Sequence, residues 1–275
     1  MRNMLVTKAK NFNLDEKTLI MGILNVTPDS FSDGGRYNQI DKAVEQAVAM
    51  ERAGADIIDI GGESTRPNHK PVSIQEEIDR VVPAIEAIKK EVNIPISIDT
   101  YKAETAKHAL VAGASIINDV WGAKYDPDMA IVAADFDVPI ILMHNRENKD
   151  YTNLIEDMKI DLQASIDIAI AAGVKKQNII LDPGVGFAKT VEDNLAVMRN
   201  LNKFVELGYP ILLGTSRKSM IGSIMDLPVD QRDEATGATT CYGINQGVHI
   251  VRVHNVEMNV RMAKMMDAMI GKKGV

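Results

Sequence analysis

The chain alternates between short, almost continuously apolar runs and longer stretches in which apolar residues recur at helical spacing. The short runs cover 19–25, 57–60, 94–99, 115–119, 139–143, 178–182, 210–214 and 249–253. A strand that carries apolar residues on both of its sides reads this way when it is covered on both faces, as in a parallel sheet. Between the runs, Ile40, Ala43, Val44, Ala47 and Val48 fall at i, i+3, i+4, i+7 and i+8, one face of an amphipathic helix. Segments 74–92, 103–112, 128–135, 154–172, 191–207, 234–245 and 256–270 carry the same period. Glycines at 54, 113, 173, 208 and 247 stand where those helices should stop.

Eight strands, each followed by a helix, leave two architectures. A doubly wound open sheet would carry a glycine-rich dinucleotide turn after its first strand, and here Asn25-Val-Thr-Pro28 stands there instead. The pattern therefore predicts an α/β fold, a single (β/α)8 TIM barrel spanning 1–275. Residues 1–18 form a short N-terminal extension, with room for a hairpin or plug across the barrel bottom.

Composition changes this picture only at the margins. With 45% apolar and 25% charged residues the chain reads as globular, and with 4% aromatics its core must rest on aliphatic side chains and methionine. The net charge of −7 argues against a general nucleic-acid binder but leaves room for a local anion pocket. A single cysteine, Cys241, excludes an internal disulfide and fits a reducing compartment. No apolar run approaches the ~20 residues that span a bilayer. The expectation is a cytoplasmic protein without membrane or nucleic-acid partners. The methionines at 258, 262, 265, 266 and 269 follow helical spacing and would pack the last helix against the barrel or a second subunit.

In such barrels the chemistry sits at the C-terminal strand ends. Those ends read Asn25, Asp59, Asp99, Asn118, His144, Asp182, Ser216 with Lys218, and Arg252 with His254. Any one of them is explained as a helix cap or a turn hydrogen bond; eight on one rim point to a polar site. Asp99, Asn118 and Asp182, with Met143 and Phe187 nearby, suit a flat heterocycle with an amidine-like edge, since a carboxylate accepts two parallel N–H bonds. Asp182 in Leu181-Asp-Pro-Gly-Val-Gly-Phe187 equally suits a simple turn. Arg252 and His254, two apart on a strand, face one side and with Asn25 suit a polyphosphate and a bridging Mg²⁺. Gly214-Thr-Ser-Arg-Lys-Ser-Met-Ile-Gly222 makes an anion cradle at a helix start, without the spacing of a nucleotide triphosphate loop. It also suits a carboxylate at Ser219 with Lys218 over a ring, or a Schiff-base lysine at Lys218.

Two stretches carry a family resemblance: Ile20-Met-Gly-Ile-Leu-Asn-Val-Thr-Pro-Asp-Ser-Phe-Ser-Asp-Gly-Gly35 and Gly54-Ala-Asp-Ile-Ile-Asp-Ile-Gly-Gly-Glu-Ser-Thr-Arg-Pro67. They resemble the signature stretches of dihydropteroate synthases, and the likeness continues in order through the strand ends above to Arg252-Val-His254. The resemblance implies a (β/α)8 homodimer that uses Mg²⁺. It would join 6-hydroxymethyl-7,8-dihydropterin pyrophosphate to p-aminobenzoate, giving 7,8-dihydropteroate and pyrophosphate by a dissociative route. Carried over by motif, Asp99, Asn118, Met143, Asp182, Phe187, Gly214 and Lys218 would hold the pterin. Asn25, Thr65, Arg252 and His254 would hold the pyrophosphate, with Asn25 on the metal. Phe31, Thr65, Pro67, Phe187 and Ser219 would shape the p-aminobenzoate site. The reacting centre would involve Asp99, Asp182, Lys218, Phe31 and Asp33. A pterin-binding paralogue without synthase activity is the rival reading. A methyltransferase relative would share the pterin carboxylates but have no need of the two signature loops.

Residues 27–35 have the length of a mobile lid, with Phe31 as an apolar face and Gly34-Gly35 as a hinge. Deleting 30–34 is expected to abolish turnover in a synthase assay while the chain still folds; unchanged turnover would remove the lid from the account.

Overall fold

The computed structural model describes residues 4–27, 36–63 and 71–274, without the side chains of 36–38. Its first two strands, β1 (Met4–Val6) and β2 (Asn11–Asn13), pair antiparallel. The main sheet contains β3 (Leu19–Asn25), β4 (Ile57–Gly61), β5 (Ile96–Asp99), β6 (Ile116–Asp119), β7 (Ile140–Met143), β8 (Ile179–Asp182), β9 (Leu212–Leu213) and β10 (Ile250–Val253). All neighbouring pairs are parallel, in the order β8-β7-β6-β5-β4-β3-β10-β9. A bridge between Leu181 and Ile211 joins β8 to the segment entering β9 and closes the ring. This is the expected (β/α)8 barrel.

The helices are α1 (Arg36–Arg52), α2 (Ile74–Glu91), α3 (Ala103–Ala112), α4 (Met129–Phe136), α5 (Leu154–Ala171), α6 (Val191–Arg199), α7 (Leu201–Val205), α8 (Ser219–Met225), α9 (Asp233–Asn245) and α10 (Val256–Met269). Two differences from the sequence reading have local causes. The single helix expected over 191–207 breaks at Asn200, whose φ of −120° and ψ of 22° leave the helical region. The strand expected over 210–214 keeps only two laddered residues. The Ile211 amide donates to the His249 ring at 3.1 Å instead of to a strand neighbour. After β9 come two helices, α8 at the helix start expected in 214–222 and α9 over the period expected at 234–245. The helix-stopping glycines behave as expected: Gly113 ends α3 at φ 131°, a conformation costly for any residue with a Cβ.

Two apolar layers result from the strand alternation. Outward positions such as Ile58, Ile60, Ile96, Ile98, Ile117 and Leu142 pack against the helices. Inward positions Leu19, Met21, Ile57, Ile116, Ile141, Ile180, Leu212 and Ile250 fill the barrel, and Leu5, Phe12 and Leu14 join the same cluster. The terminal hairpin is therefore a plug on the barrel floor. Its turn is tied by Thr7 Oγ1, which donates to Lys10 O at 2.6 Å and accepts from Lys10 N at 2.9 Å.

Phe12 is 4% exposed. Its truncation, Phe12→Ala, is expected to cost ~3–4 kcal/mol, read as a lower urea midpoint at unchanged slope. A loss far below that would mean that the hairpin does not share the barrel core.

Candidate active site

The site follows from the period of two along each strand. One step beyond the inward apolar layer, on the same side, stand Asp59 after Ile57, Asn118 after Ile116, Met143 after Ile141, Asp182 after Ile180, Gly214 after Leu212 and Arg252 after Ile250. Asp99 stands likewise after the buried Ser97. The barrel interior thus changes from hydrocarbon to hydrogen-bonding groups within a single layer, at the C-terminal mouth.

Arg252 organises one side of that layer. Its Nε donates to Asp59 Oδ2 at 2.6 Å and an Nη donates to Asp99 Oδ2 at 2.6 Å. Asn118 Nδ2 donates to the same Asp59 oxygen at 3.0 Å. Burial alone would lower the arginine's proton affinity, but the two carboxylates override it and raise it. Burial pushes Asp99 up to about 7; Arg252 opposes this shift and the neighbouring Asp59 adds to it. Asp59 Oδ1 and Asp99 Oδ1 are buried with no hydrogen-bond partner among the described residues. A buried acceptor left this way costs free energy unless a donor is supplied, so the Asp99 carboxylate is equipped to take an N–H from outside the chain.

Across the mouth, Asp182 Oδ1 accepts the Gly184 amide at 2.7 Å. The turn requires glycine: φ at Gly184 is +66°, and a Cβ there would sit 2.0 Å from the His144 carbonyl oxygen. Lys218 Nζ donates to Val185 O and lies 4.8 Å from the centre of the Phe187 ring. Burial lowers Lys218 to about 8, against the pull of Asp182. Asp182 itself is raised by burial, and Lys218 and the Gly184 amide hold it back. Between these groups Gly214 leaves a slot. A Cβ built on it would lie 3.8 Å from Asp182 Oδ2, 3.9 Å from Lys218 Nζ and 4.0 Å from Arg252 Cβ. Asp99, Asn118, Met143, Asp182, Phe187, Gly214, Lys218 and Arg252, singled out from the sequence, therefore share one mouth.

The remaining expectations divide. Asn25 ends β3 half-buried, its Oδ1 3.4 Å from the point a Cβ on Gly61 would occupy, with Asp99 Oδ2 3.7 Å from that point. His254 is half-buried, with Nδ1 2.9 Å from Ser216 Oγ and its amide donating to that oxygen at 3.1 Å. Ser219 opens α8 and is exposed, directly after Lys218. Phe31, Asp33, Thr65 and Pro67 lie outside the described residues. No group of three His, Cys, Asp or Glu side chains gathers for a metal among the described residues. Asn25 offers instead a single neutral oxygen, the hard donor that suits Mg²⁺ when phosphates and water supply the other positions.

Three polar groups escaped the sequence reading. Asp59 was visible as a strand end but received no role; its parity with Arg252 on β10 was the available signal. Lys102, buried, donates to Glu63 Oε2, to Glu77 Oε2 at 2.8 Å and to Val72 O at 2.8 Å. Lys189 is buried beneath Phe187 O and Gly184 O, a position no local spacing marks. His144, one of the polar strand ends, is one residue past the inward Met143 and fully buried, bonded to Asp161 at 3.0 Å and to Lys189 at 3.0 Å.

Comparison with known proteins agrees with this geometry. The sequence pattern of the family described as "Pterin binding enzyme" matches residues 21–254. The chain is 61% identical over 269 residues to the dihydropteroate synthase of Bacillus subtilis (strain 168), covering 98% of this chain and 94% of that one. Among solved structures it resembles the dihydropteroate synthase of Clostridium difficile determined in the presence of pteroic acid, with a TM-score of 0.93 and 52% identity over 95% of this chain and 100% of that one. It also resembles the Xanthomonas albilineans dihydropteroate synthase with 4-aminobenzoic acid, with a TM-score of 0.94 and 36% identity over 98% of this chain and 99% of that one. With a family pattern matched over residues 21–254 and relatives this similar along almost the whole chain, the chain belongs to the dihydropteroate synthases of the pterin-binding enzyme family.

Proposed function

We propose that this chain joins 6-hydroxymethyl-7,8-dihydropterin pyrophosphate to p-aminobenzoate, forming 7,8-dihydropteroate and releasing pyrophosphate. The observation that carries the reading is the slot at Gly214, flanked by Asp182, Lys218 and Arg252, with the Phe187 ring against Lys218. A flat, fused heterocycle fits such a slot edge-on. Its amidine-like edge would donate to Asp182, Asn118 would meet a ring acceptor or donor through its amide, and the ammonium of Lys218 would cover the ring. The relative crystallised with pteroic acid and the one crystallised with 4-aminobenzoic acid support the two halves of the substrate pair.

The reaction we infer is dissociative. The C–O bond between the pterin methylene and the pyrophosphate breaks first, and the electron pair leaves with the pyrophosphate. Asp99 and Asp182 then stabilise the positive methylene, and the aryl amine attacks it and afterwards loses a proton. Arg252, His254 and Asn25 would receive the departing anion. Asn25 would hold Mg²⁺, which when bound supplies positive charge to the pyrophosphate. No residue has to act as a nucleophile, so rate acceleration would come from positioning and fixed charge. The Schiff-base reading of Lys218 has less support, because its ammonium is already donated to Val185 O and set against Phe187.

On the aryl side, Ser219, exposed at the start of α8, would meet the p-aminobenzoate carboxylate beside Phe187. Phe31, Asp33, Thr65 and Pro67 complete this proposal from segments outside the described residues. A homodimer is also proposed: Met265 and Met269 on α10 stay 60% exposed, too apolar a strip to be left in water without consequence. No helix among the described residues is long and apolar enough to cross a membrane.

Two measurements test the reading. Asp182→Ala is expected to abolish pterin binding in calorimetry, whereas His254→Ala, which leaves the Arg252 cluster intact, should weaken the pyrophosphate substrate far more than free pterin. Equal losses for both ligands would remove the pyrophosphate assignment. Gly214→Ala should narrow the slot. Gly214 has no positive φ and an added Cβ meets only ordinary contacts, so the melting temperature should hold while pterin binding weakens. Unchanged binding would show that the slot is not where the ring lies.

A further inference from the structure

Beneath the loop that carries Phe187 lies a set of buried and half-buried ionisable groups that the proposed chemistry does not use. The Lys189 ammonium makes three contacts, with Gly184 O at 3.1 Å, Phe187 O at 2.9 Å and His144 Nδ1 at 3.0 Å. The other ring nitrogen of His144 meets Asp161 Oδ2 at 3.0 Å, and that oxygen also accepts Arg146 Nε at 2.5 Å. His144 thereby donates to a carboxylate through Nε2 and accepts from Lys189 through Nδ1, the pattern of a neutral imidazole. Burial and the Lys189 charge hold its proton affinity well below the ordinary value. Tyr151 adds a third tie by donating its hydroxyl to Ala188 O at 3.0 Å.

The loop needs outside support. Gly184 and Gly186 take positive φ, at 66° and 90°, which glycine adopts freely, but Ala188 takes it at 48°, where its Cβ makes the conformation costly. Its carbonyls are shared between two cations: Lys189 takes those of Gly184 and Phe187 on one side, and Lys218 takes that of Val185 on the other. Moving the loop would therefore move the Phe187 ring and release the Lys218 ammonium together. A tetrahedral ammonium with three donors matches three converging acceptors. A planar guanidinium does not.

We propose that Lys189 is a positioning residue of the pterin site: seated on the His144–Asp161 pair, it holds residues 184–188 at the height that sets Phe187 and Lys218 against the ring. This rests on the reading of the mouth as a pterin site. Lys189 makes its hydrogen bonds to the loop backbone and His144 and none to Asp182, although its charge adds to the pull that holds the proton affinity of Asp182 down.

The test uses the full chain, with pteroic acid as the probe in titration calorimetry and amide hydrogen exchange in parallel. Lys189→Met should raise the dissociation constant about tenfold or more, the effect of removing hydrogen bonds to a buried ammonium, at unchanged stoichiometry. Amides of 184–188 should exchange faster while those of β6 stay as they were. Tyr151→Phe, which removes one tie from a half-buried ring, should shift both readouts the same way by less. If Lys189→Met fails to fold, Lys189→Gln, which keeps two donors, takes its place with the same expectations. A dissociation constant within about twofold of the parent would overturn the proposal, as would an unchanged affinity with reduced stoichiometry, the mark of a merely structural role. Pteroic acid failing to bind the parent chain would overturn the functional reading instead, and unchanged exchange at 184–188 would then overturn the role of Lys189 by itself.

Discussion

The buried contact of Arg252 with Asp59 and Asp99 is the constraint around which the mouth of the barrel is arranged. A guanidinium below the rim would be intolerable alone, and removing one partner of such a buried cluster costs ~3–5 kcal/mol. Arg252 comes from β10, while its carboxylates come from β4 and β5, on the far side of β3. The cluster consequently ties together strands that are not neighbours and fixes Asn118 through the shared Asp59 oxygen. It also consumes only part of each carboxylate. The Asp99 oxygen left over gives the interior a directed acceptor without adding another charge.

The opposite wall is built by a different device. Here the backbone itself is bent into left-handed turns around Gly184 and Gly186, and the carbonyls exposed by that bending are taken up by lysines from both sides. Asp182 is held by an amide of the same turn rather than by an arginine. One wall is thus set by side-chain ion pairing across strands and the other by a supported loop. The Gly214 slot lies where the two meet.

Much of this was legible in the chain. The apolar runs located the eight barrel strands, the helical periods located most helices, and the polar strand ends named Asp99, Asn118, Asp182, Lys218 and Arg252 before any contact was known. What was lost was lost for definite reasons. Asn200 interrupts a helix through its own backbone angles, which period cannot report. The strand at 210–214 shrinks because a histidine 38 residues away captures an amide. Lys189 resembles any loop lysine until the fold closes over it.

The sequence by itself determined the alternation of strands and helices, the aliphatic core and the chemistry at the rim, because period and residue type act locally along the chain. Tertiary structure alone decided that Arg252 meets Asp59 and Asp99, that Gly214 opens a slot beside Lys218, and that Lys189 reaches His144. The first depends on barrel closure and on the stagger of parallel strands, which bring residues more than a hundred positions apart within hydrogen-bonding distance, and the others on how the strand-end loops fold over the mouth. Burial then changes what those residues are: a carboxylate whose proton is held up to about 7 and a lysine lowered to about 8 carry no mark of it in the sequence.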